Sequence, residues 1–279
     1  MFSAKLVCSA LCSAMIWACA TPPPLAVNPP QSKTENYPLV IEATAARQQA
    51  AEEAWSLFLA EYRLPDTKPD FEPVLFTPRA LPSALANRIN LNPKGITFGE
   101  AEATEALRRF IEHAGAILSS EHRSNALNLK DLSLITFSNE GNIYRAVYQQ
   151  MNYPFPLANG YGDLRLVLSK TGALLQMSSR LVPTLELPTR PTIEPTAISG
   201  KLLNREFTYT SIAGQPLRYK VARREEISVK DLVVYPKLDK DKLLFYLAYP
   251  VEVGRGTTWT VYIDAIKGGE IDVKQNFVS

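Results

Sequence analysis

The chain has 279 residues, with 30 Lys and Arg against 28 Asp and Glu and a net charge of +2. That balance provides no basic field of the kind that holds nucleic acid. Beyond its first residues the chain is long enough to bury a core, as one large domain or two small ones.

Met1–Ala18 carries one charge, Lys5, and then an apolar run from Leu6 to Ala18. The run is shorter than the roughly twenty residues that span a bilayer core. It reads as a secretory signal. A Cys directly after a small residue, in Ile16-Trp17-Ala18-Cys19, is similar to a bacterial lipobox. The resemblance implies that Cys19 becomes the lipid-modified N-terminus, with the lipid as the only membrane attachment. Ala20, rather than Asp, follows it, which by the same resemblance favours an outer membrane, facing the periplasm. A plain secretory signal cut near Ala18 or Ala20 is the alternative. Removing the leader takes Cys8 and Cys12 and leaves no pair for an internal disulfide, so the core must stabilise the fold. Residues 19–36 hold five prolines and no apolar period, the pattern of an extended, semi-rigid tether.

The spacing of Ala51, Ala54, Trp55, Phe58 and Tyr62 predicts a helix over Glu42–Tyr62, stopped by Leu64-Pro65. Pro65–Gly95 has six prolines and reads as an irregular connector, with room for a short helix at Ser83–Arg88. A second helix follows Thr97, where Thr97 and Glu100 form a capping box. Its apolar face is Ala103, Leu107, Phe110, Ile111, Ala114, Ile117 and Leu118. From Asp131 the period becomes two. Leu132–Phe137, Ile143–Met151, Leu164–Leu168 and Leu174–Leu181 read as strands of an antiparallel meander, separated by turn signals. Val182–Pro195 has four prolines and reads as a linker. Thr196–Arg205 is compatible with a short helix. Further strands read at Leu217–Ala222, Leu232–Tyr235, Leu243–Val253, Thr257–Asp264 and Glu270–Val273. The fold class expected is α+β: two successive units, each a helix plus an antiparallel β-meander. The expected division is a signal at 1–18, the lipidated tether at 19–36, a helical region with the first unit at 37–183, and the second unit at 184–279.

Residues 131–183 resemble the FTP domain that opens the propeptides of thermolysin-like and fungalysin-like metalloproteases. The matching stretches are Tyr144-Arg-Ala-Val-Tyr-Gln-Gln150, Tyr153-Pro-Phe-Pro-Leu157 and Gly160-Tyr-Gly-Asp-Leu-Arg-Leu-Val-Leu168, through to Arg180-Leu-Val-Pro183. Pro154, Asn159 and the inserted Tyr161-Gly162 depart from that pattern, and no His occurs in Leu164–Leu168. Residues 229–273 are similar to the PepSY domain that follows in those propeptides. The matches are Val229-Lys-Asp-Leu-Val-Val-Tyr-Pro236, the strand Leu243–Val253, and Trp259-Thr-Val-Tyr-Ile-Asp-Ala265. The chain ends at Ser279, about where the zinc domain of such a protease would start, and it contains no HExxH. The resemblance therefore implies a prodomain without its protease.

The candidate chemistry is sparse. His113 and His122 are nine positions apart, not the four that let two imidazoles share a zinc ion. His113 reads as a partly buried helix residue and His122 as a solvated one. No GxSxG elbow, phosphate loop or dinucleotide fingerprint is present. Glu225-Glu226 and Asp239-Lys-Asp241 read as solvated loops, and Arg218, Lys220, Arg223 and Arg224 as a solvated basic strand end. No metal or cofactor is expected, and no enzymatic activity. The residues singled out for binding are Tyr148, Gln150 and Tyr153 on the first meander, and Phe277 in a polar, extended C-terminal tail. The resulting expectation is a lipid-anchored envelope protein acting on a thermolysin-like metalloprotease, as inhibitor or folding chaperone. The alternative is a structural or assembly lipoprotein that binds another envelope component.

Overall fold

The computed structural model describes residues 36–93, 95, 98–119, 129–151, 153–210, 215–255 and 258–276. Cys19, the tether before residue 36, Thr97, His122 and Phe277 lie outside these residues.

The described chain opens with β1 (Leu39–Glu42), a strand absent from the sequence expectation. Helix α1 (Ala45–Glu61) starts after it rather than at Glu42. The reason is Thr44, whose hydroxyl accepts the Arg47 N–H at 3.2 Å and caps the first turn. Ala51, Ala54, Trp55 and Phe58 are buried, as their spacing requires. The connector expected to be irregular holds a small hairpin, β2 (Asp70–Phe71) and β3 (Pro78–Ala80), and a single 3-10 turn at Ser83–Leu85. Trp55 ties this connector back to α1 by donating Nε1–H to the Thr67 carbonyl at 2.7 Å.

Helix α2 (Glu100–His113) is capped at Gly99, not at Thr97. Glu102 reaches back to accept the Gly99 N–H at 3.1 Å. The single helix expected to run to Leu118 is interrupted at Ala114, and a short α3 (Gly115–Leu118) follows. The meander is β4 (Leu132–Glu140), β5 (Ile143–Gln150), β6 (Asp163–Ser169) and β7 (Leu174–Ser179), paired antiparallel in that order. Its inner face, with Tyr144, Ala146, Leu164, Leu166 and Leu168, packs against α1–α3 through Trp55, Phe58, Leu107, Phe110 and Ile111.

Helix α4 (Pro195–Leu202) leads into a hairpin, β8 (Glu206–Thr210) and β9 (Pro216–Lys220), of which the sequence indicated only the second strand. The remaining strands are β10 (Ile227–Val229), β11 (Val233–Asp239), β12 (Lys242–Val253), β13 (Trp259–Asp264) and β14 (Glu270–Gln275). Strand β12 is the spine of this sheet. β11 and β10 pair along one edge, β1 and β13 along the other, and β14 lies beyond β13. Trp259 centres the core on this side, stacked on Phe207 at 4.9 Å and flanked by Tyr219 at 5.1 Å. Helices packed on antiparallel sheets make this an α+β fold.

A third cluster of buried residues joins the layers. Ile41, Val74, Leu75, Leu157, Val182, Leu185, Val234, Leu243 and Phe245 pack together. Val182 and Leu185 are buried within the segment expected to be a linker. Leu157 also bridges to Val234. The N-terminal segment is latched onto the C-terminal sheet. The Tyr37 hydroxyl donates to Asp264 Oδ1 at 2.8 Å and accepts the Leu247 N–H at 3.1 Å. Lys267 Nζ donates to the Tyr37 carbonyl at 3.0 Å.

Candidate functional site: an arginine-lined cleft

Tyr148 and Gln150, two of the residues singled out for binding, are only 8% exposed. On β5, even-numbered side chains point into the core, so Tyr144 and Tyr148 share the inner face. Burial pushes the Tyr148 hydroxyl up to about 12. Gln150 donates Nε2–H to the Val182 carbonyl at 2.8 Å and accepts the Val182 N–H at 2.8 Å. Tyr153 donates its hydroxyl to the Pro183 carbonyl. Gln150 and Tyr153 fasten residues 182–183 to the meander, and Tyr148 is buried in the core behind it. Tyr148 and Gln150 therefore point inward, on the buried face of β5. Two expectations change. His113 is exposed, with Glu61 3.8 Å from its Nδ1. Glu226 is buried, accepts the Ala222 N–H at 3.0 Å, and has Arg223 and Arg255 within 4 Å.

The opposite face of the meander carries different chemistry. Odd-numbered residues of β5 and β6 point outward, and the register sets them in a grid. Val147 faces Arg165, which faces Ser178 on β7. Arg145 faces Val167, which faces Gln176. Two adjoining depressions, of about 430 and about 470 Å³, run over this grid and share Arg79, Arg165 and Ser178. Arg79 comes from the β2–β3 hairpin, which lies alongside β7.

One end of the cleft is rigidly built. Glu72 is 4% exposed and is bonded by Arg180 Nε at 2.7 Å. A buried carboxylate costs several kcal/mol unless paired, which accounts for this bond. Arg180 also donates to the Asn159 carbonyl at 3.0 Å and lies 4.9 Å from the Tyr161 ring centre. Burial, and then the Glu72 charge, raise the Tyr161 hydroxyl above its ordinary range. The wall here includes Asn159 and Gly160, in the stretch where the sequence departs from the propeptide pattern. Gly162 has φ +79°, and a Cβ there would sit 2.6 Å from Leu157 Cδ1. The left-handed backbone there strains any residue that carries a side chain.

The rest of the cleft is less satisfied. Arg79 makes an ion contact with Glu72 at 3.7 Å and no side-chain hydrogen bond among the described residues. Arg165 donates one bond, from Nη2 to Asp163 at 2.9 Å. Arg145 reaches Glu140 only at 3.4 Å. Guanidinium forks with open donors bind oxyanions, carboxylates in particular. The cleft holds one hydroxyl, Ser178, and no histidine among its lining residues. Nothing in the sequence pattern gathers Arg79, Arg145, Arg165 and Arg180. The available signal was the outward parity of Arg145 and Arg165 on neighbouring strands, each of which alone reads as a solvated position.

Among the described residues, no group of three or more His, Cys, Asp or Glu is placed to hold a metal ion. No described helix is long and apolar enough to cross a membrane. No family model matches the chain. No curated protein matches it. Among solved structures the chain is similar to the Bacillus megaterium YpeB C-terminal domain, at 13% identity and a TM-score of 0.28. The likeness covers 63% of this chain and 64% of that one. A similarity this distant assigns neither a family nor a function.

Proposed function

We propose that the chain is a non-catalytic binding protein of the bacterial envelope, anchored by lipid on Cys19. In this reading it consists of two successive units, FTP-like over 37–183 and PepSY-like over 184–279. Its partner is a thermolysin-like metalloprotease, which it blocks or helps to fold in trans. The observation that carries the reading is the outer edge of β4. Among the described residues no strand pairs with that edge. Leu134 and Ile135 on it are 38% and 54% exposed, and Met151 nearby is 58% exposed. An open strand edge beside exposed apolar side chains accepts an extended segment of a partner as an added strand, the backbone giving affinity and the side chains specificity.

The test is inhibition and refolding of thermolysin-like proteases by the full chain and by an Ile135→Lys variant. Ile135 lies at a bulge and is exposed, so the variant should unfold at the same temperature as the parent. Inhibition or refolding assistance that falls at least fivefold in the variant supports the reading. No effect of either protein across a panel of co-occurring proteases sinks it, and leaves the structural-lipoprotein alternative.

A further inference from the structure

The arginine-lined cleft is a site distinct from the β4 edge. We propose that it binds an extended polypeptide segment carrying carboxylates at alternate positions, i and i+2. Three observations lead there. The first is charge: four arginines line the cleft against two carboxylates, and one of those, Glu72, is buried and bonded by Arg180. Arg79 and Arg165 keep open donors among the described residues, with side chains 48% and 61% exposed. The second is composition. Between the arginines the floor is apolar, with Leu81, Val147 and Val167. Such a floor suits a chain with alternating side chains better than it suits a free anion or a lipid headgroup.

The third is spacing. Arg145 faces Val167, and Arg165 stands two residues before Val167 on the same strand. The two arginines are therefore diagonal neighbours, about 7 Å apart at their origins on the sheet. An extended chain presents same-side residues every ~6.6 Å, two steps of strand rise. Carboxylates at i and i+2 thus meet Arg145 and Arg165 together, and Arg79 stands over the adjoining end. Without an anion these guanidinium groups repel one another. With one, the loose Arg145–Glu140 contact at 3.4 Å is exchanged for closer bonds.

The test is fluorescence anisotropy with the full chain and three labelled peptides of equal length. One has glutamates at alternate positions, one has the same glutamates adjacent, and one has glutamines in their place. The alternating peptide should bind roughly tenfold tighter than the glutamine peptide, and weaken as salt rises. Arg145→Gln and Arg165→Gln should each weaken it about two- to fivefold. Arg108→Gln, a control on α2 with a side chain 48% exposed, should not. Arg165→Glu should reverse the preference towards a lysine peptide. Because these side chains are exposed, the variants should melt with the parent, and a thermal scan checks this. Ile135→Lys should leave peptide binding unchanged, so failure here and failure of the strand-addition reading are separable. Equal affinity for the glutamine peptide, or no effect of the arginine variants, overturns the proposal. So does equal affinity for the adjacent-glutamate peptide, or arginine-dependent binding to anionic vesicles without peptide binding.

Discussion

Gln150 gives both ends of its amide to the backbone of one residue, Val182, which is 4% exposed. The side chain thereby replaces the strand partner that Val182 lacks. Gln150→Leu would leave a buried N–H and a buried carbonyl without partners, each costing about 1–3 kcal/mol. The expected loss is about 2–4 kcal/mol in urea unfolding, with an unchanged denaturant slope. Tyr148, two residues earlier, titrates differently in the folded and unfolded chain. Its hydroxyl is raised by burial to about 12 from an ordinary 10.0. The neutral form is the one the core accepts, so its contribution is whole below pH 10 and is lost as pH climbs towards 12. Tyr148→Phe should therefore flatten the fall in melting temperature across that window, by an amount equivalent to about 1–2 kcal/mol. An identical alkaline fall in the variant would mean that the buried hydroxyl titrates normally.

The long, strongly periodic elements were legible in the sequence, and the short ones were not. The repeat of Ala103, Leu107, Phe110 and Ile111 fixes α2, and the alternation through Tyr144–Tyr148 and Leu164–Leu168 fixes β5 and β6. β1, β2, β3 and β10 are between two and four residues long, too short to show a period, and β3 contains Pro78. β1 and β10 exist because β12 supplies partners distant in sequence, whereas β2 and β3 pair with each other across residues 72–77. The arginine cleft was hidden for the same reason: its residues meet only when a hairpin at 70–80 folds beside β7. The turn between β6 and β7 holds residues 91–92, downstream of that hairpin. Gly172 has φ +89°, its carbonyl accepts the Leu91 N–H at 2.8 Å, and a Cβ would fall 2.5 Å from Asn92 Cβ. Gly172→Ala combines backbone strain with a clash, so a loss of about 2–4 kcal/mol is expected. Differential scanning calorimetry would show it as a fall of roughly 5–15 °C.

At the scale of the whole molecule, the chain closes on itself. β1 lies beside the first helix in sequence yet belongs to the sheet built from residues 227–275. It covers β12 from Lys242 to Phe245 and sends Ile41 into the shared core. A chain trimmed to start at residue 43 should therefore lose several degrees of melting temperature and expose an apolar strand edge. A peptide of residues 36–44 added in excess should restore the loss in a concentration-dependent way, because it binds the folded form alone. Restoration by a scrambled peptide would refute the pairing. The Tyr37 latch has a mechanical consequence as well. Tension on the chain from ahead of residue 36 enters the fold at Tyr37 and is passed through Asp264 and β12 into the C-terminal sheet, bypassing the helices. A pull along the strand axis loads the four β1–β12 pairs in shear, all at once, whereas a pull across it peels them one by one. The direction of the tug, more than its size, then decides whether the N-terminal strand holds.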